Sequence, residues 1–131
     1  MIIAVDFDGT IVEDEYPNIG KEKRFAFMTL KALQKQGHRL ILWTCRTGLS
    51  LAEAVEFCRS NGIEFYAVNS NYPEEEFDEK QVSRKLIADI YIDDRNLGWI
   101  IEWGKIWQII NNEPFSEETP PQKRKGFFRR Q

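Results

Sequence analysis

Two kinds of hydrophobic pattern alternate along the chain. Four short apolar runs, each bounded by turn-forming or polar residues, are typical of strands buried in a parallel sheet. These runs occupy residues 2–5, 39–44, 63–68 and 88–93. Between them, apolar residues recur at the three-and-four spacing of an amphipathic helix. The pattern therefore predicts strands and helices that follow one another in turn.

The segments between the runs predict helices of different length. The first helix covers residues 23–36, and a second one covers residues 50–60, where Ser50 and Glu53 have the spacing of a capping box. A polar loop then leads into a short helix near residues 81–86. A last helix places four apolar residues on one face, as expected for core packing, namely Trp99, Trp103, Trp107 and Ile110.

The order of these elements indicates the fold class. Strands that alternate with helices predict a parallel sheet with helices on both faces, because parallel neighbours are joined by right-handed crossovers. With 131 residues, the chain is long enough for one domain and too short for two ordinary ones. We therefore expect a small doubly wound, Rossmann-like α/β domain over residues 1–112. Residues 113–131, which include the basic stretch at 123–130, are expected to form a loosely ordered tail.

Two carboxylates stand at the end of the first apolar run, in the sequence IIAVDFDGT. Asp6 and Asp8 follow the predicted strand, and Gly9-Thr10 ends it. Residues i and i+2 of a strand point to the same side, so two like charges repel each other unless a cation or a shared proton lies between them. This destabilising arrangement indicates chemistry.

Further polar residues mark the same rim of the predicted sheet. Thr44 ends the second run, Asp93 and Asp94 end the fourth, and Lys85 shortly precedes the fourth. Carboxylates that meet at one rim suit Mg²⁺, which takes oxygen ligands, and a hydroxyl and an ammonium suit phosphoryl oxygens. The residues therefore predict phosphoryl transfer at a magnesium site. The candidate ligands are Asp6, Asp8, Asp93 and Asp94.

At these residues the chain resembles the haloacid dehalogenase superfamily of phosphatases. The segments DFDGT and LWTCR, then Lys85, then YIDDR follow in the order of the four motifs of that superfamily, and the resemblance spans residues 1 to about 112. It implies that Asp6 is the nucleophile that becomes an aspartyl phosphate. It also implies that Asp8 protonates the leaving group and then activates water.

The resemblance assigns roles to the remaining motif residues. Thr44 would bind the phosphoryl group, and Lys85, preferred over Lys80 and Arg84, would neutralise the nucleophile and the phosphate. The stretch RKLIADIYIDDR also resembles the deoxyribonucleotidases of the superfamily, which supports Lys85. The second aspartate, Asp94, would complete the metal shell while Asp93 braces the lysine, although these two roles could be reversed.

The spacing of the motifs leaves no room for a cap domain. A capless member resembles those that act on large or exposed phosphates, or that take a lid from another subunit of a homo-oligomer. A nucleotide, a sugar phosphate and a polynucleotide end all remain candidate substrates. Arg46, two residues after Thr44, is either a substrate-phosphate contact or a surface residue. The alternative function is a non-catalytic phosphate-binding or regulatory module on the same fold.

Composition narrows the class of protein further. The hydrophobic fraction of 42% and the charged fraction of 30% are those of a soluble globular protein. No apolar run approaches the roughly 20 residues of a membrane span. The start MIIAVDFD has no basic region before its apolar run, so we expect a cytoplasmic protein without a membrane partner. The net charge of −3 argues weakly against a nucleic-acid-binding surface.

Overall fold

The computed structural model describes residues 1–98 and 101–112. Within these residues the strands lie in one sheet in the order β3-β2-β1-β4, and every pairing is parallel. The predicted α/β fold with a parallel sheet is confirmed. The elements are β1 (Ile2–Val5), α1 (Ala26–Lys35), β2 (Arg39–Leu42), α2 (Gly48–Ser60), β3 (Ala67–Val68), β4 (Ile90–Ile92) and α3 (Trp103–Asn111).

Strand β1 lies at the centre of the sheet and is buried on both faces. Ile3, Ala4 and Val5 have no exposed surface. Successive side chains of a strand point to opposite faces, so Ile3 and Val5 belong to one hydrophobic cluster and Ala4 belongs to another. Val5 pairs with Leu42 of β2 on one side and with Ile92 of β4 on the other. This position explains why the first apolar run contains no polar residue.

The three helices of the described residues pack on the same face of the sheet. Leu30 of α1, Cys58 of α2 and Trp103 of α3 share one cluster with Ile3 and Val5. Strands β1, β2 and β3 follow one another in the same direction across the sheet, and right-handed crossovers then place α1 and α2 on one side. The prediction of helices on both faces is therefore wrong for the described part of the chain.

The opposite face is covered by residues 69–89, the connection between β3 and β4. Leu86 from this connection packs against Ala4 and Ile41, with Ala88 beside them. The chain moves from β3 at one edge of the sheet to β4 at the other, which reverses the direction of the earlier crossovers. That reversal places this connection on the face that the helices leave open.

The short helix predicted near residues 81–86 is wrong. The N–H groups of Gln81 and Val82 both donate to the carbonyl of Asp78, at 2.9 and 2.7 Å, and this turn is not continued into a helix. A single helical turn fixes several backbone angles for one or two hydrogen bonds, so it does not propagate unless packing supports it. The connection instead packs through single residues such as Leu86.

The start of α2 also differs from the prediction. The helix begins at Gly48 with Thr47 as its N-cap. Ser50 therefore lies in the first turn, where its hydroxyl donates to the carbonyl of Thr47 at 2.9 Å. The predicted capping box of Ser50 and Glu53 is wrong, because the helix starts before those residues.

The last helix agrees with the predicted apolar face where it is described. Trp103, Trp107 and Ile110 are buried. Trp99 lies outside the described residues, as does the predicted tail at 113–131. Among the residues that the structure describes, no helix has the length and apolar character needed to cross a membrane.

Trp103 links α3 to the loop after β1. Its side chain is 1% exposed, and its indole N–H donates to the carbonyl of Thr10 at 3.0 Å. We expect Trp103→Phe to lower the free energy of unfolding by about 2 kcal/mol, because a buried carbonyl loses its donor and the packing loses volume. Denaturant-induced unfolding measures this change. Ile109→Ala is the control on the same helix, since Ile109 is 73% exposed, and an equal loss there would contradict the assigned role of Trp103.

Candidate active site at the carboxyl ends of the strands

The candidate site lies at the carboxyl ends of β1 and β4, where the order in which the chain adds strands to the sheet reverses. From β1 the chain proceeds to β2 on one side, whereas β4 lies on the other side of β1. Ligands of open α/β sheets bind in the crevice at such a switch point. Asp6 directly follows β1, and its N–H donates to the carbonyl of Ile92 at 2.9 Å. This hydrogen bond holds the ends of the two strands together.

Three of the four predicted metal ligands meet at this point. Asp6, Asp93 and Asp94 each offer a carboxylate oxygen, and these oxygens all lie within 4.8 Å of one another. The three residues are partly buried. An oxygen-only donor set of this kind fits Mg²⁺, which prefers carboxylates and retains water in its remaining positions.

The Gly9-Thr10 turn supports Asp94. Thr10 is fully buried, and its hydroxyl accepts a hydrogen bond from the N–H of Asp94 at 3.0 Å. Gly9 has a φ of +81°, and a Cβ at this position would lie 2.3 Å from Oδ2 of Asp94. A side chain at position 9 would therefore displace Asp94 as well as strain the backbone.

The electrostatics of the cluster follow from its geometry. Burial and, to a smaller extent, the negative charges of Asp93 and Asp94 together raise the pKa of Asp6 from the ordinary 3.8 to about 7. The N–H of Phe7, which donates to Asp6 Oδ1 at 2.8 Å, acts in the opposite direction. Three carboxylates at this spacing repel one another unless a proton or a cation lies among them. The donor set and the raised pKa together fit a bound divalent cation.

Asp8 does not join this cluster through its side chain. Its two carboxylate oxygens instead accept hydrogen bonds from Arg46, at 2.7 Å from Nε and 2.8 Å from Nη2. Asp6 is grouped with Asp93 and Asp94, whereas a cationic side chain balances the charge of Asp8. The grouped carboxylates do not include the Asp8 side chain, so the predicted place of Asp8 in the metal shell stays a prediction.

The structure excludes one of the two predicted roles of Arg46. It is 1% exposed, so it is not a surface residue. Its guanidinium donates to Asp8 and to three backbone carbonyls, which uses all five of its N–H groups. The predicted contact with a substrate phosphate would require one of these hydrogen bonds to break. Hydrogen bonding to Asp8 raises the pKa of Arg46, which keeps the guanidinium charged.

Thr44 lies beyond the end of β2, the strand next to β1. Its N–H donates to Asn69 Oδ1 at 2.8 Å, and its hydroxyl accepts from the N–H of Arg46 at 3.1 Å. Asn69 has a φ of +52°. Thr44 also opens onto a cavity of about 280 Å³ between this loop and residues 69–89. The other side chains that line the cavity include Trp43, Phe77, Ser83 and Arg84.

Lys85 does not take the position predicted for it. The side chain is exposed, and its Nζ lies 5.2 Å from the centre of the Tyr91 ring. Within residues 1–98 and 101–112, no ion pair joins Lys85 to Asp93. The predicted brace between them is therefore absent, because the lysine stacks on the ring of Tyr91 instead.

The site contains supporting contacts that the sequence interpretation missed. Gly9 and Thr10 position Asp94, Arg46 holds Asp8, and Asn69 holds Thr44. The glycine directly after the acidic pair was a signal for a close approach. The sequence carried no signal for Asn69, because only the parallel arrangement of β2 and β3 brings their ends together.

Comparisons with known proteins bear on the fold of the chain. No family model matches it, and no curated protein matches it. Among solved structures, the chain is similar to a conserved protein from Bacteroides thetaiotaomicron, with 58% sequence identity and a TM-score of 0.81. The match covers 86% of this chain and 90% of that chain.

The raised pKa of Asp6 predicts how stability depends on pH when no divalent cation is present. Between pH 3.8 and about 7 the unfolded chain loses the Asp6 proton while the folded protein keeps it. Stability therefore falls as the pH rises through this window and stays lower above it. The Asp6→Asn variant has no carboxylate at position 6, so its stability does not fall for this reason as the pH rises. At pH 8 in EDTA we expect this variant to have a free energy of unfolding about 2 kcal/mol above wild type, after discounting for solvent screening.

Denaturant-induced unfolding at pH 4 and at pH 8 measures this difference between variant and wild type. We expect the difference at pH 8 to exceed the difference at pH 4. A difference that is the same at both pH values would contradict the assignment of a raised pKa to Asp6.

Proposed function

The chain belongs to the same family as the conserved Bacteroides thetaiotaomicron protein, and we propose that it is a Mg²⁺-dependent phosphomonoesterase of the haloacid dehalogenase type. One observation carries the proposal: Asp6, Asp93 and Asp94 present oxygens within 4.8 Å of one another where β1 and β4 end. Such a cluster is costly for the fold alone. It suits an enzyme that handles a phosphoryl group beside a cation.

Asp6 is the proposed nucleophile. When bound, Mg²⁺ would offset the negative charge of the cluster and of the phosphoryl group. In the cation-free site, burial and the neighbouring carboxylates raise the pKa of Asp6 to about 7. A carboxylate attacks phosphorus only when it is ionised, so loss of this proton prepares Asp6 for the reaction.

The reaction proceeds in two displacements. An oxygen of Asp6 bonds to phosphorus, the bond from phosphorus to the leaving oxygen breaks, and that oxygen takes a proton from Asp8. Water then attacks the aspartyl phosphate and gives its proton to Asp8, which releases inorganic phosphate and restores Asp6. The Asp8 carboxylate is only partly buried, so a leaving group in solvent can reach it.

Thr44 and Lys85 are proposed to bind the phosphoryl oxygens. The Thr44 hydroxyl lies beyond the end of the strand adjacent to β1, where it can donate to the phosphoryl group. Lys85 contributes by leaving the Tyr91 ring, a rearrangement that its flexible and exposed side chain allows. The cavity beside Thr44 would hold the leaving group of the substrate. The proposed substrate classes are nucleotides, sugar phosphates and polynucleotide ends. In a homo-oligomer, a second subunit would supply the lid.

The first test measures hydrolysis of 4-nitrophenyl phosphate with and without divalent cations. We expect hydrolysis with Mg²⁺ and none in EDTA, because the cluster repels a phosphate dianion. Asp6→Asn should abolish both turnover and the acid-stable phosphate bound to the protein. Asp89→Asn is the matched control. Asp89 accepts a hydrogen bond from the N–H of Ile2 at 2.7 Å, at the opposite end of β1, so its loss should leave turnover unchanged.

Two outcomes would count against the proposal. Undiminished hydrolysis in EDTA would show that the reaction needs no divalent cation. Phosphate trapped on a residue other than Asp6 would show that Asp6 is not the nucleophile. Tight phosphate binding without any turnover would favour the non-catalytic module instead.

A second prediction concerns the choice of lysine. We expect Lys85→Ala to lower kcat by about 100-fold to 1000-fold, which corresponds to roughly 3 to 4 kcal/mol of lost stabilisation of the transition state. Lys80→Ala should change kcat little, because the Lys80 side chain is exposed. Steady-state kinetics of the two variants measure the difference.

Arg84→Ala is the closer comparison, because Arg84 lines the cavity beside Thr44. We expect this variant to raise KM more than it lowers kcat. A collapse of kcat in Arg84→Ala with near wild-type kcat in Lys85→Ala would show that the role belongs to Arg84.

A further inference from the structure

Arg46 lies behind Asp8, and we propose that it is a positioning residue that fixes the orientation of this carboxylate for proton transfer. It also ties Asp8 to the loop between β1 and α1. The inference rests on the proposed function, since it assumes that Asp8 gives a proton to the leaving group. Nothing in the motif roles assigned above requires an arginine at this position.

The contact between Arg46 and Asp8 is a bidentate ion pair. Nε lies 2.7 Å from Oδ2, and Nη2 lies 2.8 Å from Oδ1. Two parallel hydrogen bonds fix the plane of a carboxylate as well as its distance. Each carboxylate oxygen accepts at two lone pairs, so each oxygen of Asp8 keeps one lone pair that Arg46 does not occupy. The arginine is buried while the Asp8 side chain remains partly accessible.

The remaining donors of Arg46 bind three backbone carbonyls. Nη1 donates to Pro17 and to Ser50, both at 3.2 Å, and Nη2 donates to Asn18 at 2.9 Å. Pro17 and Asn18 belong to residues 13–22, which we call the entry loop. Its base is closed by the bridge between Val12 and Glu22. One side chain therefore holds the acid, the entry loop and the first turn of α2 in a fixed relation.

Two aromatic rings hold the guanidinium in place. Its central carbon lies 5.1 Å from the centre of the Phe7 ring and 5.1 Å from that of the Tyr16 ring. Phe7 is fully buried, whereas Tyr16 is 58% exposed. A lysine would keep the charge but would not reproduce the planar fork or the stacking. Arg46→Lys is therefore a specific test of orientation with the charge retained.

The test compares two substrates that differ in their need for a proton. 2,4-Dinitrophenyl phosphate has a leaving group that departs without protonation, whereas the alkoxide of glycerol 2-phosphate must be protonated as its bond to phosphorus breaks. If Arg46 acts through Asp8, Arg46→Lys should lower kcat for glycerol 2-phosphate by about 100-fold, the usual contribution of general acid catalysis. It should lower kcat for the aryl phosphate only a few-fold.

Asp8→Asn provides the reference for this pattern. Arg46→Lys, Asp8→Asn and the double variant should all lose more kcat on glycerol 2-phosphate than on the aryl phosphate. The loss of kcat in the double variant should be little greater than the loss in Asp8→Asn alone. Equal losses on both substrates, or losses that multiply in the double variant, would show that Arg46 only supports the fold and would overturn the proposal. If wild type hydrolyses neither substrate, it is the proposed function that fails.

Tyr16→Leu keeps the proposal testable should Arg46→Lys not fold. Tyr16 lies on the surface, so its loss should leave the fold intact while the guanidinium loses one of its two rings. We expect a loss of a few-fold in kcat that is confined to glycerol 2-phosphate. An equal loss on both substrates, or no loss on either, would contradict a role of the stacked guanidinium in orienting Asp8.

Discussion

The repulsion among Asp6, Asp93 and Asp94 is the constraint on which the rest of the site depends. Their oxygens lie within 4.8 Å of one another, although separated charges would cost the fold less. The sheet enforces this proximity, since β1 and β4 are neighbours in register and both end at the same edge. Gly9 and Thr10 then fix Asp94 from the other side. The backbone therefore concentrates negative charge at one point and leaves it to a proton or a cation to balance it.

The two carboxylates of DFD show how one short segment supports two environments. Burial and two neighbouring like charges raise the pKa of Asp6 to about 7. Asp8 has a guanidinium across both of its oxygens. Phe7, which lies between them in the sequence, is fully buried. In many enzymes two carboxylates take different roles, one as nucleophile and one in proton transfer, because their surroundings differ.

Much of the fold followed from the sequence because local patterns determine it. Each of the four apolar runs contains one strand, although β3 covers only Ala67–Val68 of the run at 63–68. The two longer helical patterns became α1 and α2 with small shifts at their ends. The layer on the second face could not be read in this way. Whether residues 69–89 form a helix depends on what they pack against, and Leu86 packs as a single residue against Ala4 and Ile41.

For the candidate site, the sequence predicted which residues lie at the ends of the strands, but not which side chains contact one another. The position of each run placed Asp6, Thr44, Asp93 and Asp94 at one rim, because parallel strands end together. Side-chain pairing was not predictable, since the partner of Asp8 lies 38 residues away and the neighbour of Lys85 is an aromatic ring. Such contacts depend on loop paths, which hydrophobic periodicity does not report.

The absence of a helix over residues 69–89 has a consequence for how proteins of this family can diverge. This connection covers one face of the sheet and also forms one wall of the cavity beside Thr44. Because its backbone belongs to no helix and to none of the strands, insertions there leave the register of β1, β2 and β4 untouched. The wall of the cavity can therefore change in shape and charge during evolution while the carboxylate cluster stays the same.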